Sequence, residues 1–423
     1  MLKRGLRLLL DRRDFALLMG AQFAAQAGDG IVQAALAKLI AFGNQEGFDL
    51  EGARSPEELL RIALYLFVPY TVISPFLGVV IDRWNRRRLL VVANGLRAVV
   101  LILIALVGLG AVPDAALFGA FLLTLASTRV VLATKAAALP ETLEATELTE
   151  GNAVSQLGGA MFQLGGAGAA LIAAGFLEAE VIVVVGAVVY LLGAAISLAM
   201  RKVGEVGPRS TLGEEIARVV RNIVAGLAEV ARTPKAGAAI TTYFWLRLLW
   251  SFSIVGIGFI ARDLLADDDL QVLIVTGGAG AAGAVLGFLL AARFRDRARS
   301  GGQMALAAAA LAGVSVAVLG GIETRATLAL LTFCLGLGFF LGKISLDTMV
   351  QEALGNDFRG RAFSLYDIAY NMAWVVAAAA MKLLWTGSAQ GALMAGMGIV
   401  FLTGLGLIGV WFKRAGLLAS APT

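Results

Sequence analysis

Gly78-Val79-Val80-Ile81-Asp82-Arg83-Trp84-Asn85-Arg86-Arg87-Arg88 is a densely charged bridge between two long apolar runs. Upstream, Ile73 to Ile81 carries no charge, and downstream Leu89 to Val107 carries only Arg97. Charges gathered so tightly between such runs must lie in water or among lipid headgroups, so the stretch reads as a short turn joining two membrane-spanning helices. The excess of arginine places that turn on the cytoplasmic side.

Composition points the same way. With 59% hydrophobic and 15% charged residues and a mean hydropathy of +0.83, the chain cannot keep its apolar surface inside one soluble core. A helix needs about 20 apolar residues to cross the hydrocarbon layer, which leaves room for roughly twelve spans. Barrel strands would alternate apolar and polar residues over about ten positions, and that pattern is absent. The 51 glycines suit close helix packing in lipid. Cys334 is the single cysteine and there is no histidine, which excludes an intrachain disulfide, a cysteine metal cluster, a histidine relay and a Ser-His-Asp triad. The expectation is therefore no enzyme, no cofactor and no metal. Basic residues are spread over alternate loops, as membrane topology requires, rather than massed for nucleic acid.

Lys3, Arg4, Arg7, Arg12 and Arg13 leave only Leu8 to Leu10 between charges, too short for a signal-peptide core. The first span, Phe15 to Phe42, is thus expected to start in the cytoplasm, with an interruption at Gly28-Asp29-Gly30. An acidic loop, Asn44 to Glu58, faces outside. Continuing along the chain gives twelve spans with both termini cytoplasmic. The long connection between the sixth and seventh spans carries a capping box at Thr211-Leu212-Gly213-Glu214. Ile216, Val219, Val220, Ile223, Leu227 and Val230 follow at helical spacing, as an interfacial amphipathic helix requires. The expected organisation is an all-α integral membrane protein: a six-helix bundle over 1–200, a linker over 201–235 and a second six-helix bundle over 236–423. Ala138-Leu139-Pro140-Glu141 and Met349-Val350-Gln351-Glu352 fall at equivalent places in the halves, as do the opening turn and Arg293 to Arg299, which marks an internal repeat.

Gly78, Asp82, Arg83, Arg86 and Arg87 match the G-x-x-x-D-R-x-G-R-R loop of the major facilitator superfamily, which the chain resembles over nearly its whole length. Asn85 stands where the family has its second glycine, a residue that also tolerates the left-handed backbone of a tight turn. The resemblance implies twelve spans in two six-helix pseudo-repeats, secondary transport by alternating access, and a loop that packs the halves together and sets the conformational equilibrium. Glu141, Glu144, Glu147 and Glu150 are expected to face the arginines of that turn, with Glu141 counted among the gate residues.

Ionisable residues inside spans are costly and mark the transport path. Asp29, Arg129 and Arg247 are expected near the midplane, and Lys343 with Asp347 nearer the cytoplasm, one helical turn apart and able to pair. Pairing of Asp29 with Arg129 or Arg247 as a structural ion pair is the bland alternative. Arg97 and Lys38 are expected to snorkel at the membrane faces, and Tyr366, Tyr370 and Trp374 to serve as packing, with Asp367 and Asn371 beside them. Leu125-Ala126-Ser127-Thr128-Arg129 and Gly165-Gly166-Ala167-Gly168-Ala169-Ala170 resemble parts of the motifs of proton-coupled drug exporters. Ala21-Gln22-Phe23, Gly28-Asp29, Ala93-Asn94-Gly95-Leu96-Arg97, Lys135 and Phe244-Trp245 look like segments of bacterial lysophospholipid transporters, which would make Asp29, Lys135 and Arg247 cavity residues for a charged headgroup.

Three readings follow: a secondary transporter exporting an amphipathic organic solute or drug, a lysophospholipid flippase, and a non-transporting receptor or scaffold. Two basic midplane charges against one acidic charge favour an anionic or zwitterionic solute. Protons are the candidate coupling ion, through Asp29, Asp347 or Asp367. The remaining expectations are a monomer in the cell membrane that contacts lipid and no nucleic acid.

Overall fold

A computed structural model describes residues 2–42, 55–76, 84–108, 111–201, 211–264, 269–294, 301–353, 356–385 and 389–418. Every regular element among them is helical. The first seven are α1 (Leu2–Asp11), α2 (Arg13–Phe42), α3 (Pro56–Ile73), α4 (Arg86–Val107), α5 (Asp114–Ala138), α6 (Leu148–Ala173) and α7 (Ala179–Leu198). There follow α8 (Leu212–Arg232), α9 (Pro234–Leu264), α10 (Asp269–Phe294), α11 (Gly301–Leu319), α12 (Arg325–Ala353), α13 (Asn356–Leu384) and α14 (Gln390–Arg414). Seven of these, among the described residues, are long and apolar enough to cross a membrane. Shorter apolar stretches, Val275–Ala291 and Ile368–Leu384, lie in α10 and α13.

The chain groups into two units, Met1–Asp49 with Val72–Ala217, and Leu50–Thr71 with Arg218–Thr423. This grouping follows packing rather than chain order, and it places most of α3 in the second unit. Phe15, Leu18, Met19 and Leu90 anchor the core of the first. Tyr243, Phe252, Leu335, Met394 and Phe412 anchor that of the second. Five packed pairs of the first unit have a counterpart in the second, although among the described residues α10 on α12 has none in the first unit. Helix α2 packs on α5, α6 and α7 as α9 packs on α12, α13 and α14, and α4 packs on α5 and α7 as α11 packs on α12 and α14.

Local chemistry departs from the sequence reading in three places. Helix α2 runs without a break through Gly28-Asp29-Gly30. The glycines are packing devices there: a Cβ at Gly28 would lie 2.6 Å from the Tyr190 ring, and one at Gly30 would lie 2.7 Å from the Ala167 amide nitrogen of α6. Asn85 is in an extended, not a left-handed, conformation; its side-chain oxygen caps α4 by accepting from the Arg87 amide at 3.1 Å. Glu144 and Glu147 do not reserve themselves for the arginine turn, because Arg12 at the α1–α2 joint donates to both, to Glu147 at 3.1 Å. The backbone amide of Glu144 and then Arg12 hold Glu147 below the usual carboxylate range, while the two glutamates raise Arg12. Gly78, Asp82 and Arg83 lie outside the described residues.

The capping box forms as expected, with Thr211 Oγ accepting from the Glu214 amide at 3.3 Å and Glu214 accepting from the Thr211 amide at 3.1 Å. Along α8 the apolar residues Ile216, Val220, Val224 and Leu227 stay exposed, the surface an interfacial helix lays on lipid.

Candidate substrate site

Helix α9 brings Tyr243, Arg247 and Trp250 to one face, since residues three and four apart are neighbours on a helix. Helices α12 and α13, both packed on α9, add Phe339 from one and Tyr370 with Trp374 from the other. The product is a cage around the Arg247 guanidinium, whose carbon lies 3.8 Å from the Tyr370 ring centre and 4.3 Å from that of Trp250. Phe339 and Trp374 stand farther off, at 5.4 and 5.5 Å. The rings brace one another: Tyr243 stacks on Tyr370 at 6.1 Å, Trp250 meets Trp374 edge-on at 6.0 Å, and Phe67 of α3 stacks on Trp374 at 5.6 Å.

Arg247 is only 4% exposed, its Nε has no hydrogen-bond partner, and among the described residues no carboxylate lies within ion-pair distance of it. Each close ring offsets about 1–2 kcal/mol through the cation–π attraction. Burying a guanidinium without a counter-charge costs several kcal/mol. The rings therefore fix the cation in place, and among the described residues no carboxylate cancels its charge.

In the first unit the buried cation Arg97 has the opposite character. It is 0% exposed, midway along α4, and donates to Asp29 of α2 at 2.6 Å as well as to Asn94 one turn earlier. Thr128 of α5 and Tyr190 of α7 donate to the same Asp29 oxygen at 2.8 and 2.9 Å, and the Tyr190 ring lies 3.7 Å under the guanidinium. Two expectations are thereby corrected. Arg97 does not snorkel, because Asp29 of α2, Thr128 of α5 and Tyr190 of α7 hold its guanidinium in the interior, with only its Nε left without a partner. Asp29 pairs with Arg97 rather than with Arg129 or Arg247, so its charge is neutralised inside the bundle.

A second polar cluster in this unit surrounds Lys135, which is 9% exposed. Its amine donates to Ser155 Oγ of α6 at 2.7 Å, Ser155 donates to Gln22 Oε1 at 2.9 Å, and Gln22 donates on to Gln26 at 2.6 Å. No carboxylate within ion-pair distance of Lys135 occurs among the described residues.

Of the other sequence candidates, Lys343 donates to Asp347 at 2.6 Å across one turn of α12, the local pair that the spacing suggests. Arg129 is half-buried on α5, Arg86 and Arg87 open α4, and Glu141 is exposed on the 3-10 turn after α5. The side chains of Asp367 and Tyr366 lie outside the described residues. Tyr370 and Trp374, expected as packing, are walls of the Arg247 cage. Sequence reasoning passed over Tyr190, Ser155, Trp250 and Phe339 as site residues; the four-residue spacing of Tyr243, Arg247 and Ser251 on an otherwise apolar helix was the available signal for a functional face.

Seven helices long and apolar enough to cross a membrane, among the described residues, are the mark of an integral, multi-pass membrane protein. Residues 15–378 match the Major Facilitator Superfamily, and the chain belongs to that family. An uncharacterized transporter of this family from Mycobacterium bovis is 27% identical over 398 residues, covering 86% of this chain and 84% of the relative. An uncharacterized transporter from Mycobacterium tuberculosis matches to the same extent, at 27% identity over 398 residues. Among solved structures, a peptide transporter POT in complex with sulfate has a TM-score of 0.70 at 13% identity, over 97% of this chain and 96% of that one. The nucleoside transporter NupG has a TM-score of 0.63 at 13% identity, over 93% and 98%. The protein is thus a secondary transporter of this superfamily that moves a solute across the membrane, and it is not an enzyme.

Proposed function

We propose that the transported solute is amphipathic, an anionic group carried on an apolar or aromatic body, and that Arg247 receives the anion. The observation that carries this reading is the buried Arg247 guanidinium, held by rings and without a carboxylate partner among the described residues. A hydrogen bond to a charged group contributes about 1.5–3 kcal/mol, so an arriving anion would gain from a guanidinium already stripped of water. Tyr370, Trp374 and Trp250 would then flank the apolar body. Lys135 supports the same sign of charge from the first unit, whereas the ion pair of Asp29 with Arg97 counts against Asp29 as a receptor. Transport proceeds by alternating access of two pseudo-symmetric six-helix bundles, twelve spans in all, with both termini cytoplasmic. The matched internal packing of the units and the arginine-rich turn support that arrangement.

A stabilisation screen on the purified full chain tests the proposal, since a ligand that binds the folded state raises its thermal midpoint. Aromatic carboxylates compared with their own amides isolate the charge. The acids are expected to raise the midpoint and the amides to leave it unmoved, with the difference lost in Arg247→Gln. Equal stabilisation by acids and amides, or preference for cationic amphiphiles, would reject the reading.

A further inference from the structure

We propose that a groove at the start of α4 binds the headgroup of an anionic phospholipid from the surrounding bilayer. The cavity, about 710 Å³, is lined by Trp84, Asn85, Arg87, Arg88, Val91, Val92 and Leu198. Its chemistry changes along its length, with two guanidinium groups and an indole at one end and the branched side chains of α4 and α7 at the other.

The anion receptors in this groove are side chains. The free amides that usually make a helix N-terminus attractive to anions are partly occupied, because Asn85 accepts from the amides of Arg87 and Arg88. Neither arginine side chain has an ion-pair partner among the described residues, and of the four glutamates expected to face the turn, Glu144 and Glu147 are engaged by Arg12. Trp84, 44% exposed, has the amphipathic character that settles at the headgroup level.

The apolar end decides between a lipid and a free phosphate. From Val92 the exposed residues Leu96, Val99 and Leu103 continue along α4 at alternating spacings of four and three, a stripe on one helical face. Beside it, α7 packs on α4 and exposes Leu198, Leu191 and Val188. A hydrophobic track thus leaves the cationic end of the cavity in the direction an acyl chain takes from its headgroup, and basic pockets between transmembrane helices are suited to acidic lipid headgroups.

The test is a titration of the detergent-solubilised full chain with micelles containing phosphatidylglycerol or phosphatidylcholine of the same acyl chains, followed by thermal midpoint. Phosphatidylglycerol is expected to raise the midpoint and phosphatidylcholine to leave it nearly unchanged. Arg87→Gln with Arg88→Gln is expected to weaken the apparent affinity for phosphatidylglycerol about tenfold. Arg7→Gln with Arg13→Gln, which removes the same charge from exposed positions on α1 and α2, is expected to keep it within about twofold. Val92→Trp fills the groove without altering charge and is expected to lower the affinity several-fold, which keeps the test intact if the arginine variant fails to fold. Equal response to the two lipids, identical behaviour of the two arginine double variants, or unaltered affinity in Val92→Trp would overturn the proposal. Stabilisation by inorganic phosphate equal to that by phosphatidylglycerol would overturn it as well.

Discussion

At the scale of single residues, the chain uses buried arginine in two ways that composition alone does not separate. Arg97 has Asp29, Asn94 and Tyr190 within reach, whereas Arg247 has aromatic rings. Removing one partner of a buried pair leaves an uncompensated charge, so Asp29→Asn should lower unfolding stability by about 3–5 kcal/mol. Asp29→Leu combined with Arg97→Met, which removes both charges, should recover most of that loss, because apolar replacement of a whole buried pair is often neutral. Denaturation of the purified variants checks this, and a double variant as unstable as the single one would contradict it. Arg247→Gln should behave oppositely and cost little stability, since it removes a buried cation that has no carboxylate partner among the described residues. The sequence showed that Asp29 and Arg247 are intramembrane charges but assigned Arg97 to a membrane face. Pairing depends on which helices adjoin, and no spacing within α2 or α4 states that α2, α4, α5 and α7 converge on one carboxylate.

At the scale of elements, small residues set how closely the helices approach. Gly30 lets α2 lie against α6 so nearly that a methyl group would meet the backbone at Gln163 and Ala167. Backbone cannot yield as a side chain tip does, so Gly30→Ala should destabilise by about 1–3 kcal/mol through overpacking. Gly165→Ala, on α6 with open space before it, should change stability little, and equal effects of the two substitutions in a melting comparison would contradict this account. The glycine richness of the chain announced close packing, yet the Gly28-Asp29-Gly30 triplet read as a break in the helix. Helix propensity penalises glycine by about 1 kcal/mol, and here the contacts with Tyr190 and α6 override that local preference. The helix α8 and its capping box were legible, because a capping box and an apolar stripe are local features that need no tertiary partner.

At the scale of the whole molecule, hydropathy together with the arginine turn pointed to a multi-pass helical transporter, and the family match agrees with it. The class was readable because hydropathy and charge bias are properties of the chain and the bilayer together. Cargo is a property of a site, and the proposed one assembles from α9, α12 and α13, more than a hundred residues apart at its extremes, so the sequence offered only an expected excess of basic charge inside spans. The proposal rests on one guanidinium with aromatic walls, Arg247. Transport is the direct test: proteoliposomes holding wild-type protein or Arg247→Gln, loaded with an aromatic carboxylate selected by the stabilisation screen, followed for flux of that compound. The account predicts that Arg247→Gln, with an unchanged melting temperature, loses at least about tenfold in flux, the equivalent of one charged hydrogen bond. Wild-type flux in that variant would contradict it.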